Sequence, residues 1–244
     1  MRGKPVAFLT GASGGIGSAI ATKLAADGYD LILHYNSGEG KVQELKETIQ
    51  TKYGVDCSLF QADFTDIKVS MEKVTSLHVK PDVVVHNSGT SSVGLITDVT
   101  YEQLQKEISI GITMPFLLTQ AFLPSMIKGR KGKIIVISSI WGLTGASCEV
   151  LYSTVKGGLN TFVKALAKEV APSNIQVNGV APGAIETPML DHYDDEEIAN
   201  LTDEIPAGRL GTPEEVASLV SFLVSDQSQY INGQIVSING AWYC

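Results

Sequence analysis

The chain has 244 residues, 44% of them apolar and 18% charged, which suits a globular domain with a sizeable core and excludes a disordered segment. Its 18 Lys plus Arg stand against 26 Asp plus Glu, and the formal charge of -8 speaks against a nucleic-acid surface while leaving one small basic patch open. Cys57, Cys148 and Cys244, with His34, His78, His86 and His192, form no metal spacing and no disulfide framework, and no continuous apolar run spans a bilayer; no metal, no membrane and a cytoplasmic setting with free thiols are expected.

Residues 1–5 lead into a β-prone run, Val6-Ala7-Phe8-Leu9, without the apolar stretch of a signal peptide. A helical pattern over 16–27 follows a glycine-rich turn. Next come Leu31-Ile32-Leu33, a helix over 40–53, Ser58-Leu59-Phe60, a helix over 67–78, and Val83-Val84-Val85. A long helical pattern over 101–127 precedes Ile134-Ile135-Val136-Ile137. A helix over 152–171 precedes Ile175-Gln176-Val177, and a helix over 213–225 precedes the last run, 234–238. Seven strands alternating with helices predict a parallel sheet covered on both faces, with right-handed crossovers. No linker splits the chain, so 1–244 reads as one α/β domain. The acidic segment 186–211 interrupts the alternation and is a candidate lid.

The first strand runs into "TGASGGIG", residues 10–17. Gly11 suits a tight turn, Gly15 a close approach to a pyrophosphate, and Gly17 close packing of the helix on the sheet. Free N–H groups at the helix start would then face phosphate. A ligand-free glycine turn is the bland alternative, made less attractive by the position between strand and helix. Asp63 follows the third strand run; Thr65 or Asp66 suits the cap of the next helix better, leaving Asp63 on the ligand edge of the sheet. Asn87 and Gly89 end the fourth run the same way, and Asn87 can equally hold its own loop.

In "YSTVK", Tyr152 and Lys156 lie four apart, one turn along a helix face. A phenol is a weak acid, with a reference pKa near 10, and a nearby ammonium favours the phenolate. Tyr152 is thus a candidate general acid for a carbonyl oxygen, or base for an alcohol. Ser139, thirteen residues earlier at the end of a long apolar strand, can donate a hydrogen bond to the same oxygen or simply cap a turn.

Together, "TGASGGIG", Asp63, "HNSG" (86–89), Ser139, Tyr152 with Lys156, "APGAIETPM" (181–189) and "INGQIVSINGAWY" (231–243) resemble the short-chain dehydrogenase/reductase family over essentially the whole chain. "PAGRLG" (206–211) followed by "TPEEVA" resembles, within it, the bacterial β-ketoacyl-acyl-carrier-protein reductases. The resemblance implies a Rossmann-type doubly wound sheet and catalysis by Ser139, Tyr152 and Lys156. Tyr152 would protonate the carbonyl, Lys156 would hold the nicotinamide ribose and lower the tyrosine's pKa, and Ser139 would orient the substrate oxygen. The implied cofactor contacts are Gly11, Ser13, Gly14, Gly15, Ile16 and Gly17 in the turn, and Asn36 and Ser37 after the second strand. Asp63 and Phe64 would lie at the adenine, Asn87 and Gly89 beside its ribose. Tyr152 and Lys156 with Pro182, Gly183, Ile185 and Thr187 would hold the nicotinamide. The cofactor supplies the hydride chemistry.

The second strand ends Tyr35-Asn36-Ser37 with no acid to bind ribose hydroxyls, which favours NADPH over NAD, with Lys41 as the compensating cation; NAD remains the alternative. Gly111 stands where the family carries an Asn that keeps a helix kink and a water linked to the lysine. A glycine can keep the kink but not the side chain. Arg130, with Lys128, Lys131 and Lys133, matches one docking position for an acidic acyl carrier protein, while Ser173 occupies the second. Trp141, Cys148 and Leu151 either border the substrate cleft or pack within a loop. Cys148 has no base near it in sequence and is not read as a nucleophile.

The helices over 101–127 and 152–171 carry Phe116, Leu117, Phe122 and Leu123, and Leu159, Phe162, Val163 and Leu166. The resemblance implies that they form a dimer seam in a homotetramer. The expected activity is reduction of a ketone, foremost a 3-oxoacyl thioester. The alternatives are a dehydrogenase for another small alcohol, sugar or ketone, and a nucleotide-binding regulator with weakened catalysis.

Overall fold

The computed structural model describes residues 3–191 and 193–244; His192, with its lack of ligand spacing, lies outside the described residues. Strands β1 (Val6–Leu9), β2 (Asp30–Tyr35), β3 (Cys57–Gln61), β4 (Val83–His86), β5 (Gly132–Ile137), β6 (Ile175–Pro182) and β7 (Ile235–Ile238) form one sheet in the order β3-β2-β1-β4-β5-β6-β7. All six pairings are parallel. The helices are α1 (Gly15–Ala26), α2 (Glu39–Tyr53), α3 (Ile67–Thr75), α4 (Tyr101–Ile108), α5 (Met114–Gly129), α6 (Trp141–Thr144), α7 (Val150–Val170), α8 (Asp195–Glu204) and α9 (Pro213–Val224).

The continuous apolar runs of the central strands have a direct cause. Successive side chains point to opposite faces, and both faces are covered. Leu9, Leu33, Val85 and Ile135 face α1, α2 and α9 through Ile20, Leu24, Val42, Val216 and Val220. Phe8, Ile32, Val84, Ile134 and Val136 face α5 and α7 through Leu118, Phe122, Leu159 and Val163. Phe122, Leu159, Val163 and Leu166 are therefore core, while Phe116, Leu117, Leu123 and Phe162 keep surface on the same two helices. By length and composition the segment Tyr101–Gly129 could cross a bilayer, a property that short continuous runs conceal. Its Met114, Leu118, Phe122 and Met126 are buried against the sheet, as in a core helix.

The long pattern over 101–127 is two helices joined by a π-turn, Ser109–Thr113, that contains the buried Gly111. Such single π-turns interrupt helices at functional positions. The predicted helix over 67–78 stops at Thr75, and Asp66 caps its start through the Val69 N–H. Two helices escaped the sequence reading. Helix α6 is a single turn, too short for a periodic pattern. Helix α8 lies inside the acidic segment, where Asp194 and Glu197 form a capping box and Asp195, Glu196 and Glu197 sit at the positive end of the helix.

Candidate active site

The order of the sheet puts the C-terminal ends of β1 and β4 side by side, the place where doubly wound sheets bind ligands. Gly11, after β1, has φ 69°, which a residue with a side chain adopts at a cost. Its N–H donates to His34 Nδ1 at 3.1 Å, and His34 Nε2 lies 3.0 Å from the Ala62 carbonyl. The imidazole is thus neutral with the proton on Nε2, and burial lowers its pKa to about 4. The ring stacks on Phe64 at 3.8 Å. Thr10 Oγ1 accepts the N–H groups of Asn87 and Ser88, each at 2.9 Å. The Asn87 amide donates to the carbonyls of Thr10 and Gly11 at 3.0 and 3.1 Å. The loop-holding role of Asn87 is therefore realised.

Each glycine of the turn has a different neighbour. A Cβ on Gly17 would overlap the Gly11 carbonyl oxygen and stand 2.8 Å from Asn87 Nδ2, so this glycine lets α1 pack closely on the turn and on the end of β4. A Cβ on Gly15 would stand 2.8 Å from Thr187 Cγ2, which places the start of the candidate lid over the turn. A Cβ on Gly38 would stand 2.6 Å from Ser13 Cβ, so the loop after β2 presses on the turn. Gly14 caps α1 with no side-chain hydrogen bond, and the first N–H groups of α1, from Gly15 and Ile16 onward, are left for an anion. A cleft of about 400 Å³ runs alongside, bordered by Ser13, Gly14, Gly15, Lys41, Glu44 and Pro188. The exposed Asn36 and Ser37 end β2 near this cleft.

Asp63 and Phe64, after β3, are more occupied than their spacing implied. Asp63 Oδ1 accepts the Thr65 N–H at 2.9 Å and the Thr65 hydroxyl at 2.8 Å, which holds the carboxyl below its usual pKa. The Phe64 ring is buried under His34, so Phe64 offers a ligand its backbone. Gly89, after β4, comes close to Lys156: a Cβ there would lie 3.4 Å from Nζ.

Across the sheet edge, β5 delivers Ser138 and Ser139, and α7 delivers Tyr152 and Lys156. Buried Lys156 donates from Nζ to the Ile137 carbonyl at 2.9 Å, and Nζ stands 5.4 Å from the centroid of the Tyr152 ring. Burial lowers the lysine's pKa to about 8, with the Glu107 carboxylate acting in the opposite direction. Ser139 Oγ accepts the Trp141 N–H at 3.2 Å and lies on the Tyr152 side. Burial pushes the phenol up to about 12; Ser139 eases the tyrosine's pKa downward, and Glu149 and Glu107 push it further up. The expected lowering of the tyrosine's pKa by Lys156 is not what the protein alone provides: the ammonium faces the ring, and two carboxylates oppose phenolate. Tyr152 is thus held in its protonated form.

Small residues keep this group compact. Asn160 Nδ2 donates to the Gly142 carbonyl at 2.8 Å, which ties α6 to α7. The Ile140 N–H donates to the Pro182 carbonyl at 3.0 Å. Gly183 lies against Asn239, where a Cβ would meet its Cβ at 2.9 Å. Ile185 forms a parallel bridge with Gly211, and the Glu186 N–H donates to the Gly211 carbonyl at 2.9 Å. Segment 186–211 is thus clasped at both ends. Within it α8 has no buried residue, and Thr187 Oγ1 donates to the Ile185 carbonyl at 3.3 Å.

Trp141 packs on Trp242 and Tyr243 with ring centroids 5.2 and 5.4 Å away, so the C-terminal tail folds against α6 beside Ser139. Leu151 is buried, and Cys148 sits in a left-handed turn with its carbonyl accepting the Gly94 N–H at 2.7 Å. The basic patch is smaller than its sequence. Lys133 is buried and donates to the Ser225 carbonyl at 3.1 Å, leaving Lys128, Arg130 and Lys131 exposed. Arg130 spends one guanidinium nitrogen on the Pro172 carbonyl at 3.1 Å.

Thr10, His34, Gly38 and Glu107 were not foreseen as site residues. For His34 the available signal was a polar ring inside an apolar strand. For Glu107 it was a carboxylate four residues before the departing Gly111.

With this geometry in hand, comparison with known proteins is direct. Residues 11–241 match the family described as Enoyl-(Acyl carrier protein) reductase. The chain is 48% identical over 239 residues to the uncharacterized oxidoreductase YmfI of Bacillus subtilis, covering 98% of each. It is 39% identical over 246 residues to the 3-oxoacyl-[acyl-carrier-protein] reductase FabG of Aquifex aeolicus, covering 100% of this chain and 98% of that protein. Among solved structures, acetoin dehydrogenase YohF of Salmonella typhimurium superposes with a TM-score of 0.88 at 31% identity, over 98% of this chain and 96% of that one. A seven-stranded doubly wound sheet, a glycine-rich turn after its first strand and a Ser–Tyr–Lys group at the adjoining strand ends, joined to similarity over full length, make this chain a member of the short-chain dehydrogenase/reductase family, the NAD(P)-dependent oxidoreductases that act on CH–OH and C=O groups.

Proposed function

We propose that the protein reduces a 3-oxoacyl thioester to the 3-hydroxyacyl thioester with NADPH. The observation that carries the reading is the buried Lys156, fixed by the Ile137 carbonyl, with its Nζ 5.4 Å from the Tyr152 ring and Ser139 beside that tyrosine. When bound, the nicotinamide supplies the hydride. Ser139 and Tyr152 hold the carbonyl oxygen, and Tyr152 Oη gives it the proton. A phenol kept protonated suits this direction. Lys156, fixed by the Ile137 carbonyl, would hold the ribose and restore the proton.

The turn residues Gly11, Ser13, Gly14, Gly15, Ile16 and Gly17 would take the pyrophosphate on the uncapped start of α1. Asn36 and Ser37 would meet the adenosine ribose, with Lys41 opposite a 2′-phosphate. Glu44 on the same cleft weighs against that charge, yet no acid ends β2. Asp63 and Phe64 would meet the adenine through backbone, Asn87 and Gly89 its ribose, and Pro182, Gly183, Ile185 and Thr187 the nicotinamide. Segment 186–211 would close over the acyl group.

Similarity to FabG favours a carrier-bound substrate, and exposed Arg130 favours an acidic carrier protein. Similarity to the acetoin dehydrogenase favours a second reading, a small hydroxyketone. Phe116, Leu117, Leu123 and Phe162 on α5 and α7 favour a dimer seam within a homotetramer.

The test is NADPH oxidation with a short 3-oxoacyl thioester, then with acetoin, with Tyr152→Phe alongside. Thioester turnover that falls about 10²–10⁴-fold in the variant is expected. Turnover of acetoin alone favours the second reading. Tight NADPH binding without turnover of any carbonyl favours the regulator. Charge reversal at Arg130 should raise KM for the carrier-bound substrate and leave the small thioester unchanged.

A further inference from the structure

Glu107 is a buried carboxylate, 3% exposed, near the C-terminal end of α4. Its Oε1 accepts the hydroxyl of Ser92, from the loop after β4. The ion pairs among the described residues, Lys23–Asp27 and Arg209–Glu215, leave it without a direct cationic partner. A carboxylate in this position is costly unless charge elsewhere offsets it. The charged and titratable groups around it are Lys106 on its own helix and, from α7, Lys156 and Tyr152. Ser92 is the polar group facing it from the loop.

The neighbouring position explains why the carboxylate matters here. One turn beyond Glu107, the π-turn presents Gly111 to α7. A Cβ on Gly111 would overlap Cγ1 of Val155, the residue just before Lys156. The space that a side chain at 111 would need is filled by a valine methyl. Residue 111 brings no side chain toward the lysine, and Glu107 is the buried residue of α4, its charge felt at Lys156.

We infer that Glu107 is a positioning residue for the Tyr152–Lys156 pair: its buried charge, held by Ser92, keeps Lys156 an ammonium and Tyr152 a phenol, the state that proton donation to a carbonyl requires. This rests on the reductase reading of Tyr152 and Lys156. Burial raises the Glu107 pKa while the Ser92 hydroxyl, Lys106 and Lys156 lower it. Burial also lowers Lys156 to about 8, so the two groups differ less in proton affinity than they would in water, and each favours the other's charged form.

The experiment compares wild type, Glu107→Gln, Glu107→Asp and Ser92→Ala. Proton signals of Lys156 are followed by NMR on ¹³C-lysine-labelled protein, assigned with Lys156→Gln, alongside pH profiles of kcat for carbonyl reduction. In Glu107→Gln the Lys156 titration should move to lower pH, and kcat should fall roughly fivefold at pH 8, with the loss shrinking toward pH 6. Glu107→Asp, which keeps the charge, should stay near wild type. Ser92→Ala should shift Lys156 in the same direction by less, and it covers the case in which Glu107→Gln fails to fold. A Lys156 titration unchanged in Glu107→Gln, or unchanged in Ser92→Ala where Glu107→Gln does not fold, overturns the inference. The NMR readout needs no substrate, so a protein that turns over no carbonyl would sink the reductase reading while still deciding this one.

Discussion

Gly142 lies so close to the backbone of Lys156 that a Cβ on it would stand 2.7 Å from the lysine's carbonyl carbon and 2.9 Å from its oxygen. Helix α6 can rest on α7 at Lys156 only because this position has no side chain. The neighbouring atoms are the backbone and Cβ of Lys156, which cannot swing away. Gly142→Ala should therefore destabilise the fold by ~1–3 kcal/mol and lower kcat through displacement of Lys156. Urea unfolding with parallel turnover measurements checks both effects, and unchanged values in both would show that the two helices are free to separate.

Gly111→Asn should likewise be destabilising, because its Cβ meets the Val155 methyl within the packed interior. Adding Val155→Ala should recover most of the lost stability, since it removes the overlapping methyl. Thermal melts of the two single variants and the double variant measure the coupling. Additive losses would mean that the overlap is relieved elsewhere. An unchanged rate and pH profile in the double variant would show that an amide at 111 adds nothing to proton delivery.

His34 makes stability depend on pH. Its folded pKa is about 4 against an ordinary 6.5, so the unfolded chain binds the proton more readily. Its contribution is present above pH 6.5 and is lost as pH falls through 4, amounting to up to about 3 kcal/mol. Protonation puts a donor on Nδ1, against the Gly11 N–H. Urea midpoints measured between pH 7 and pH 4 should fall, and His34→Gln should flatten that part of the fall. The buried His86, lowered to about 3, contributes in the same direction and remains in the variant.

Cofactor choice is expected to turn on the end of β2. Asn36→Asp places a carboxylate where ribose hydroxyls would bind and should move the preference from NADPH toward NADH by roughly tenfold or more in kcat/KM. Lys41→Ala should weaken NADPH selectively, through loss of charge facing a 2′-phosphate. Equal losses with both cofactors in Lys41→Ala would place the 2′-group elsewhere.

Phe116 is 55% exposed and its ring centroid lies 6.0 Å from that of Phe162, an apolar pair bridging α5 and α7 at the surface. In the proposed tetramer this pair lies in a seam between subunits, and Phe116→Asp should shift the sizing profile to smaller species with little loss of secondary structure. A wild-type monomer at micromolar concentration would reject the assembly.

Much of the candidate site was legible in the sequence. Glycine spacing, strand-end polar residues and the Tyr–Lys pair depend on local backbone geometry, which acts over a few residues. The same is true of the alternation of strands and helices, whose apolar runs match a sheet buried on both faces. The readings that changed were those that depend on neighbours distant in the chain. Lys133 reads as part of a basic run and is buried beside Ser225 and Ser228. Phe64 reads as a ligand contact and is buried under His34. Lys156 reads as a group that lowers a tyrosine's pKa, and burial with two nearby carboxylates leaves that phenol protonated instead.

By itself, then, the sequence determined the α/β class and the order of strands and helices along the chain, and it singled out Ser139, Tyr152 and Lys156 as candidates. Tertiary structure alone decided that Asn87 holds the glycine turn, that Val155 fills the space at Gly111, and that Glu107 is buried and bonded to Ser92. The physical reason is range. Periodicity and turn chemistry are written in adjacent residues, whereas burial, and with it the proton affinity of every buried group, is set by whatever the rest of the chain brings into contact.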